Sequence, residues 1–527
     1  MRKFRLAAIL VPATLWSVAG LDQAHAQGAA VAMAPAAMPA IGSVDERYQA
    51  YNIEMVQVTG GKWWAPYAAA SAPIRTDPVE PQRASGIHPS AFAYRAPTNL
   101  ADPKLRKLAA ALSPTYVRLS DTWANTLYFQ DTDATEAGPA PAGFGAVLTR
   151  PQWKGVIDFS NALDARIVTS FSIGAGVRDA SGVWTPVEAQ KFLAYTKAAG
   201  GDVAAVEFFN EPNLAAIGGA PKGYDAAAFG RDFKVFRAFI RANDPQMKIL
   251  GPGPVGEARD IKGFPPGLKS EDMLKASGPG LDGVSWHFYG AVSQRCVSMG
   301  EAFQTTPQAA LSKAWLMATT HDSDTYGALR DRFEPGKPLW LTETAEAACG
   351  GNPWSSDFID SFRYLNQLGV LAKRGVKVVM HNTLAGSDYG LIDDRTLAPR
   401  PNYWSAVLWR RLMGSTVLEA GAPETPNLYL YAHCLRGQPG GVALLAINAD
   451  LTAAQTLATP LRSTRYTLTA QDLLDVKVRL NGRDLKVDAK GDLPRLAGAP
   501  TAAGKLTLAP ASITFLAIPT ANNPACR

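Results

Sequence analysis

Between residues 92 and 412 the sequence alternates short β-rich runs with amphipathic helical stretches, and this alternation limits the possible folds more than any other feature of the chain. The strand-like runs fall at 92–95, 115–120, 166–173, 203–209, 248–251, 283–288, 338–343 and 376–384. Helix-like segments lie between them, at 103–112, 152–163, 187–199, 226–242, 358–374 and 403–412. A strand that returns to a parallel neighbour through a helix does so with one hand, so eight consecutive units close into a (β/α)8 barrel. The length of the alternating region matches that fold with room for insertions.

Beyond residue 414 the period changes. Strand-like runs at 428–435, 442–447, 466–470, 476–480, 505–508 and 512–517 are separated by Gly, Pro and Asn/Asp turns, the pattern of an all-β domain of the sandwich type. The segment 48–60, YQAYNIEMVQVTG, is also strand-like, and it is expected to complete the C-terminal sheet. The expected layout is a signal peptide at 1–26, a flexible N-terminus at 27–45, and a strand segment joining the β-domain at 46–85. A catalytic barrel at 86–413 and a C-terminal β-sandwich at 414–527 follow.

The leader reads MRKFRLAAILVPATLWSVAGLDQAHAQ, with a basic start, an apolar stretch and Ala24-His25-Ala26 as a cleavage site, so the protein is expected to be exported to the periplasm or medium. Arg2, Lys3, Arg5 and Asp22 place +2 of the formal charge of +6 in that leader. The remaining +4 is too little for a nucleic-acid binder, and no later run is long and apolar enough to span a membrane. Four cysteines, Cys296, Cys349, Cys434 and Cys526, in an exported chain point to one or two bridges. No CxxC or HxxxH spacing occurs, and neither a metal site nor a cofactor is expected.

A barrel of this kind carries its chemistry at the C-terminal ends of its strands. The run 203–209 leads into Asn210-Glu211-Pro212-Asn213, and the run 338–343 ends in Glu343. With 92–95 counted as strand one, Glu211 closes strand four and Glu343 closes strand seven, and both face one mouth. Two facing carboxylates are what glycoside hydrolysis requires, one protonated and one ionised. A single Glu at a strand end is more often a solvated group or an ion-pair partner; the pair in these two contexts reverses that judgement. Glu207 lies deeper on its strand and reads as structural, and Glu346 falls in the loop past Glu343.

Several stretches taken together resemble heparanase and its β-glucuronidase relatives, glycoside hydrolase family 79 of the clan of retaining barrel glycosidases. They are DPKLRKLAAALSPTYVRLSDTW (102–123), VEFFNEPN (206–213), WHFYG (286–290), KPLWLTETAEAACGG (337–351), SDYGLIDD (387–394) and NYWSAVLWRRLMG (402–414), continued by the C-terminal segments LYLYAHC, VRLNGRDLKV and PACR. The resemblance implies that Glu211 is the general acid/base and Glu343 the nucleophile. It makes Asn210 a partner of the sugar 2-hydroxyl and sets Tyr289 against the nucleophile. The backbone N–H groups of Gly350 and Gly351, with the Tyr389 hydroxyl, become the clamp on a uronic-acid carboxylate. It also implies a sugar contact at Thr122, although Ser120-Asp121 stand where the family has two glycines, and a bridge between Cys434 and Cys526. Cys296 and Cys349 fall after strands six and seven, which allows a second bridge. Glu257 replaces a family glutamine, and Arg259 matches a basic residue of the sulfated-sugar site.

There is no room between Thr122 and Phe171 for the long excised linker of heparanase, so a single-chain enzyme is expected. The resulting expectation is a cofactor-free, monomeric retaining glycosidase that cleaves β-linked glucuronic acid from a glycan or glycoside, with endo or exo action open. The alternatives are a clan relative for neutral β-glycosides and a non-catalytic carbohydrate-binding protein.

Overall fold

The computed structural model describes residues 30–67, 87–258 and 267–527. The expected signal peptide and Arg259 lie outside the described residues. Eight parallel strands close a barrel: β1 (Gln49–Ile53), β2 (Thr115–Leu119), β3 (Ala165–Thr169), β4 (Val203–Glu207), β5 (Lys248–Val255), β6 (Gly283–Val292), β7 (Leu339–Ala348) and β8 (Val376–His381). Closure is made by β8 on β1, with Val379 opposite Gln49.

The helices around it carry local start signals. The helix Arg150–Leu163 begins at a reciprocal cap between Thr149 and Gln152, has Pro151 in its first turn, and buries Trp153, Val156, Ile157 and Phe159 against the strands. The helix Pro103–Ala110 starts at Asp102, whose carboxylate accepts the N–H groups of Lys104 and Leu105. Inside the barrel Ala50, Tyr116, Val168, Leu250, Trp340 and Met380 fill the lower layers. Two residues on from Tyr116, and therefore on the same side of β2, Arg118 begins a polar upper layer that is fully buried.

Strand one is not the expected one. Residues 92–95 pair antiparallel with Gly61–Trp64 in a hairpin outside the barrel, where Tyr94 is 70% exposed. β1 is buried at all five positions, as a strand covered on both faces must be, and its continuous burial hides the alternation that marks a sheet with one wet face. The segment at 46–85 therefore supplies a barrel strand and not a strand of the β-domain. That strand comes instead from within the expected flexible terminus: Ala40–Ser43 pairs antiparallel with Met413–Leu418, and Val31–Ala32 pairs with Gln455–Thr459. Asn523 donates to the carbonyls of Pro35 and Met38, which ties this segment to the C-terminus. β7 also runs past its expected end to Ala348, so Glu343 is mid-strand and Glu346 lies on the strand.

The C-terminal region forms a nine-stranded and a three-stranded sheet that share one core, with Leu418, Leu444 and Leu516 from the first meeting Val31, Leu457 and Leu506 from the second. The helix Phe358–Lys373 is buried from Phe358 through Ala372 because it is enclosed between barrel and sandwich. The expected bridge Cys434–Cys526 is present, and Cys296 and Cys349, whose pairing the sequence leaves open, are bridged as well, with Cα separations of 5.3 and 6.5 Å. Among the described residues no helix is long and apolar enough to cross a membrane.

Candidate active site

The upper ends of the strands enclose a cleft of about 310 Å³, lined by Asn210, Glu211, Tyr289, Glu343, Tyr389 and Thr122 among others. Six of the eight residues expected from the sequence are thus brought together. Gly350 and Gly351 are not part of this lining, although Ala348 and Cys349 just before them are. Both glycines have positive φ, 84° and 79°, and a Cβ at Gly350 would fall 2.8 Å from the Cβ of Trp64. Their carbonyls are engaged: Gly351 accepts from Arg295 and Tyr67, and Gly350 from the Asp388 N–H. Glu346 braces this turn by accepting from Asn352 and Ser355 at 2.6–3.0 Å, which accounts for its burial.

Glu211 follows the end of β4 in a left-handed conformation, φ 49° and ψ 59°, which is uncommon for a non-glycine residue and turns the chain into the short helix Pro212–Leu214. Asn125 fixes this turn from both sides: its amide donates to the Asn210 carbonyl at 2.9 Å and accepts the Asn210 N–H at 2.8 Å. A carboxylate oxygen of Glu211, one of Glu343 and a ring nitrogen of His287 all lie within 4.8 Å of one another.

Arg118 organises the other side chains. Its guanidinium donates to Glu207 at 2.9 Å, to Glu343 Oε2 at 2.7 Å and to Asn210 Oδ1 at 2.8 Å, and its Nη2 lies 3.2 Å from His287 Nε2. Arginine can only donate, so the bond to Asn210 directs that amide's Nδ2 away, and the contact with His287 puts the imidazole proton on Nδ1. That nitrogen faces Glu211 Oε1 at 3.1 Å. Burial holds the His287 pKa down at about 4, so the ring is neutral at pH 7 and donates to Glu211.

The two carboxylates have different surroundings. Glu343 accepts from Arg118 on one oxygen, at 2.7 Å, and from the Tyr289 hydroxyl on the other, at 2.6 Å, so both oxygens are held in place. Burial pushes Glu211 up to about 7, and repulsion by Glu207 adds to the effect against the pull of Arg118. Glu207 itself is buried, but Arg118 and the hydroxyls of Ser285 and Thr342 hold it below the usual carboxylate range. The deep carboxylate of β4 is thus the structural partner of Arg118.

A second polar group lies on the other side of Tyr289. Asn382 is within 3.0–3.1 Å of the hydroxyls of Tyr289 and Tyr389 and of Glu54 Oε1, and Tyr389 donates to that same oxygen at 2.9 Å. Glu54 is pushed up to about 8 by burial and by the nearby charges of Asp121 and Glu343. Its Oε2 has no hydrogen-bond partner among the described residues. Asp121, raised to about 6 mainly by burial, joins the loops after β1 and β2 by accepting the N–H groups of Val56 and Ala124. Sequence reasoning missed Arg118, His287, Glu54, Asp121 and Asn382. The signal for Arg118 was present, an arginine within the otherwise apolar run TYVRL. Glu257 accepts from the N–H and hydroxyl of Ser270 and so anchors the start of the helix Ser270–Ser277.

Heparanase of Mus musculus is 28% identical to this chain over 494 residues, covering 81% of the chain and 88% of its own length. Baicalin-β-D-glucuronidase of Scutellaria baicalensis is 35% identical over 189 residues, 34% of this chain and 36% of that protein. Among solved structures, a 4-O-α-L-rhamnosyl-β-D-glucuronidase from Fusarium oxysporum superposes with a TM-score of 0.62 over 92% of this chain and 100% of that chain; at 12% identity the likeness is one of fold. No family model matches the chain.

Proposed function

We propose that this chain, which is a glycoside hydrolase of the heparanase and β-glucuronidase type, cleaves β-linked glucuronic acid by double displacement, with Glu343 as nucleophile and Glu211 as acid/base. The observation that carries the reading is the contrast between two carboxylates whose oxygens lie within 4.8 Å. Retaining enzymes hold the pair about 5–5.5 Å apart, whereas inverting enzymes need about 6.5–9.5 Å to admit a water between them. Glu343, held by Arg118 and Tyr289, is oriented to attack the anomeric carbon. Glu211, raised to about 7, keeps its proton near neutrality and gives it to the departing glycosidic oxygen. Once the glycosyl-enzyme has formed, Glu211 takes a proton from water, which then displaces Glu343.

Asn210 Nδ2 remains to bond a sugar hydroxyl. Tyr389, whose hydroxyl proton would turn from Glu54 to the substrate while protonated Glu54 donates to it in return, is our proposed reader of the uronate, with the Gly350–Gly351 turn behind Cys349. Glu54 is protonated at neutral pH, so a carboxylate of the substrate entering beside it meets a hydroxyl and not a second negative charge. The leader at 1–26 and the two disulfides support export, and the domain limits given by the sequence stand as proposals apart from the exchanged N-terminal strands. The reading is tested by following an aryl β-glucuronide and the matching β-glucoside by proton NMR. Preferential cleavage of the glucuronide with β-glucuronic acid as the first product is expected; α-glucuronic acid appearing first would overturn the mechanism.

A further inference from the structure

Apart from its polar floor, the cleft has an apolar wall, and the position of that wall bears on the leaving group. The acid/base must stand at the glycosidic oxygen, so the aglycone lies on the Glu211 side of the bond. On that side Leu214 and Ile217 follow Glu211 directly, Val255 ends β5, and Met299 and Phe303 come from the segment after β6. β4, β5 and β6 are consecutive around the barrel, so these five side chains share one side of the mouth. The rest of the lining is mixed: Glu54, Asp121, Asn210, Tyr289, Tyr389 and the exposed Thr122 supply polar groups, and Trp64, Phe92 and Trp123 supply aromatic rings. Among the described residues no lysine or arginine lines the cleft.

Building on the glucuronidase reading, we infer that this wall is a subsite for an apolar aglycone, and that the preferred substrates are glucuronides of alkyl or aryl alcohols. A sugar hydroxyl set against these five side chains would lose hydration without gaining a hydrogen bond from them, which costs affinity. An alkyl or aryl group instead gains by leaving water, about three- to fourfold per methylene buried.

The test is a comparison of kcat/KM for methyl and hexyl β-glucuronide and for glucuronic acid β-linked to a neutral hexose, with methyl and hexyl β-glucoside measured in parallel. The alkyl alcohols have similar leaving ability, so their ratio reports binding of the chain. A hexyl-to-methyl ratio of at least tenfold is expected, falling towards one in Ile217→Gln and in Met299→Gln, both of which alter half-buried wall residues. A ratio near one in the unaltered enzyme, or a disaccharide cleaved ten times faster than the hexyl glycoside, overturns the apolar subsite. Glucosides cleaved as fast as glucuronides would overturn the glucuronide reading alone, and the hexyl-to-methyl ratio would then be read on them.

Discussion

At the scale of single residues, the site depends on two carboxylates a few ångströms apart with different surroundings, Glu343 bonded to Arg118 and Tyr289 and Glu211 raised by burial. Glu343→Gln should lower kcat on the order of 10³-fold or more while glycoside binding persists, measured by turnover and by calorimetry. In Glu211→Ala only proton donation is lost, so aryl glycosides with acidic leaving groups should keep far more activity than alkyl glycosides. For the unaltered enzyme kcat/KM on alkyl glycosides should fall above about pH 7 as Glu211 loses its proton. This limb should be absent from the Glu211→Ala profile; its persistence there would assign the titration to another group. Arg118→Met leaves Glu207 and Glu343 buried without their cation and should destabilise the fold by about 3–5 kcal/mol in denaturant titrations. Tyr389→Phe should reduce the preference for glucuronide over glucoside by about 1–3 kcal/mol. Equal losses on both substrates would show that Tyr389 shapes the pocket without reading charge.

Among the elements, most of the barrel was legible because each strand-to-helix unit repeats a local pattern. Asn210-Glu211-Pro212 identified the end of β4 because a proline and a tight turn leave a visible mark. β1 was recognised as a strand but assigned to the wrong sheet, because its pairing with β8 and β2 is a contact between segments distant in the sequence, and 92–95 was counted in its place. Arg118, Glu54 and Asn382 went unseen for a related reason: their roles depend on partners that are distant in the sequence and meet only when β1, β2 and β8 become neighbours. Position in the fold also explains Gly369 on the helix between the domains. A Cβ there would come within 2.3 Å of the Tyr431 ring, which packs on this glycine and donates to Asn366 at 2.7 Å. Gly369→Ala should therefore destabilise by about 1–3 kcal/mol despite the better helix propensity of alanine, read as a lower midpoint in thermal unfolding.

For the molecule as a whole, stability and catalysis share the buried acids. Glu54 binds its proton more tightly when folded, with a pKa of about 8 against 4.5 in the open chain. Between those values the folded state holds a proton that the unfolded state has released, so this group makes stability fall as pH rises, by up to about 1.4 kcal/mol per unit. Glu54→Gln should accordingly gain in melting temperature relative to the unaltered protein on going from pH 5 to pH 9. The Cys434–Cys526 bridge spans 92 residues and joins the C-terminal end to the sandwich. Its removal should cost up to about 4–5 kcal/mol in the chain-entropy account while leaving kcat unaffected. The central claim, a covalent intermediate on Glu343 formed with the help of Glu211, is tested most directly by trapping it. Incubation with a 2-deoxy-2-fluoro-β-glucuronyl fluoride, followed by peptide mass spectrometry, should find one fluoroglucuronyl group on the peptide that contains Glu343. Label on another carboxylate, or turnover of the reagent with no adduct at all, would contradict the account.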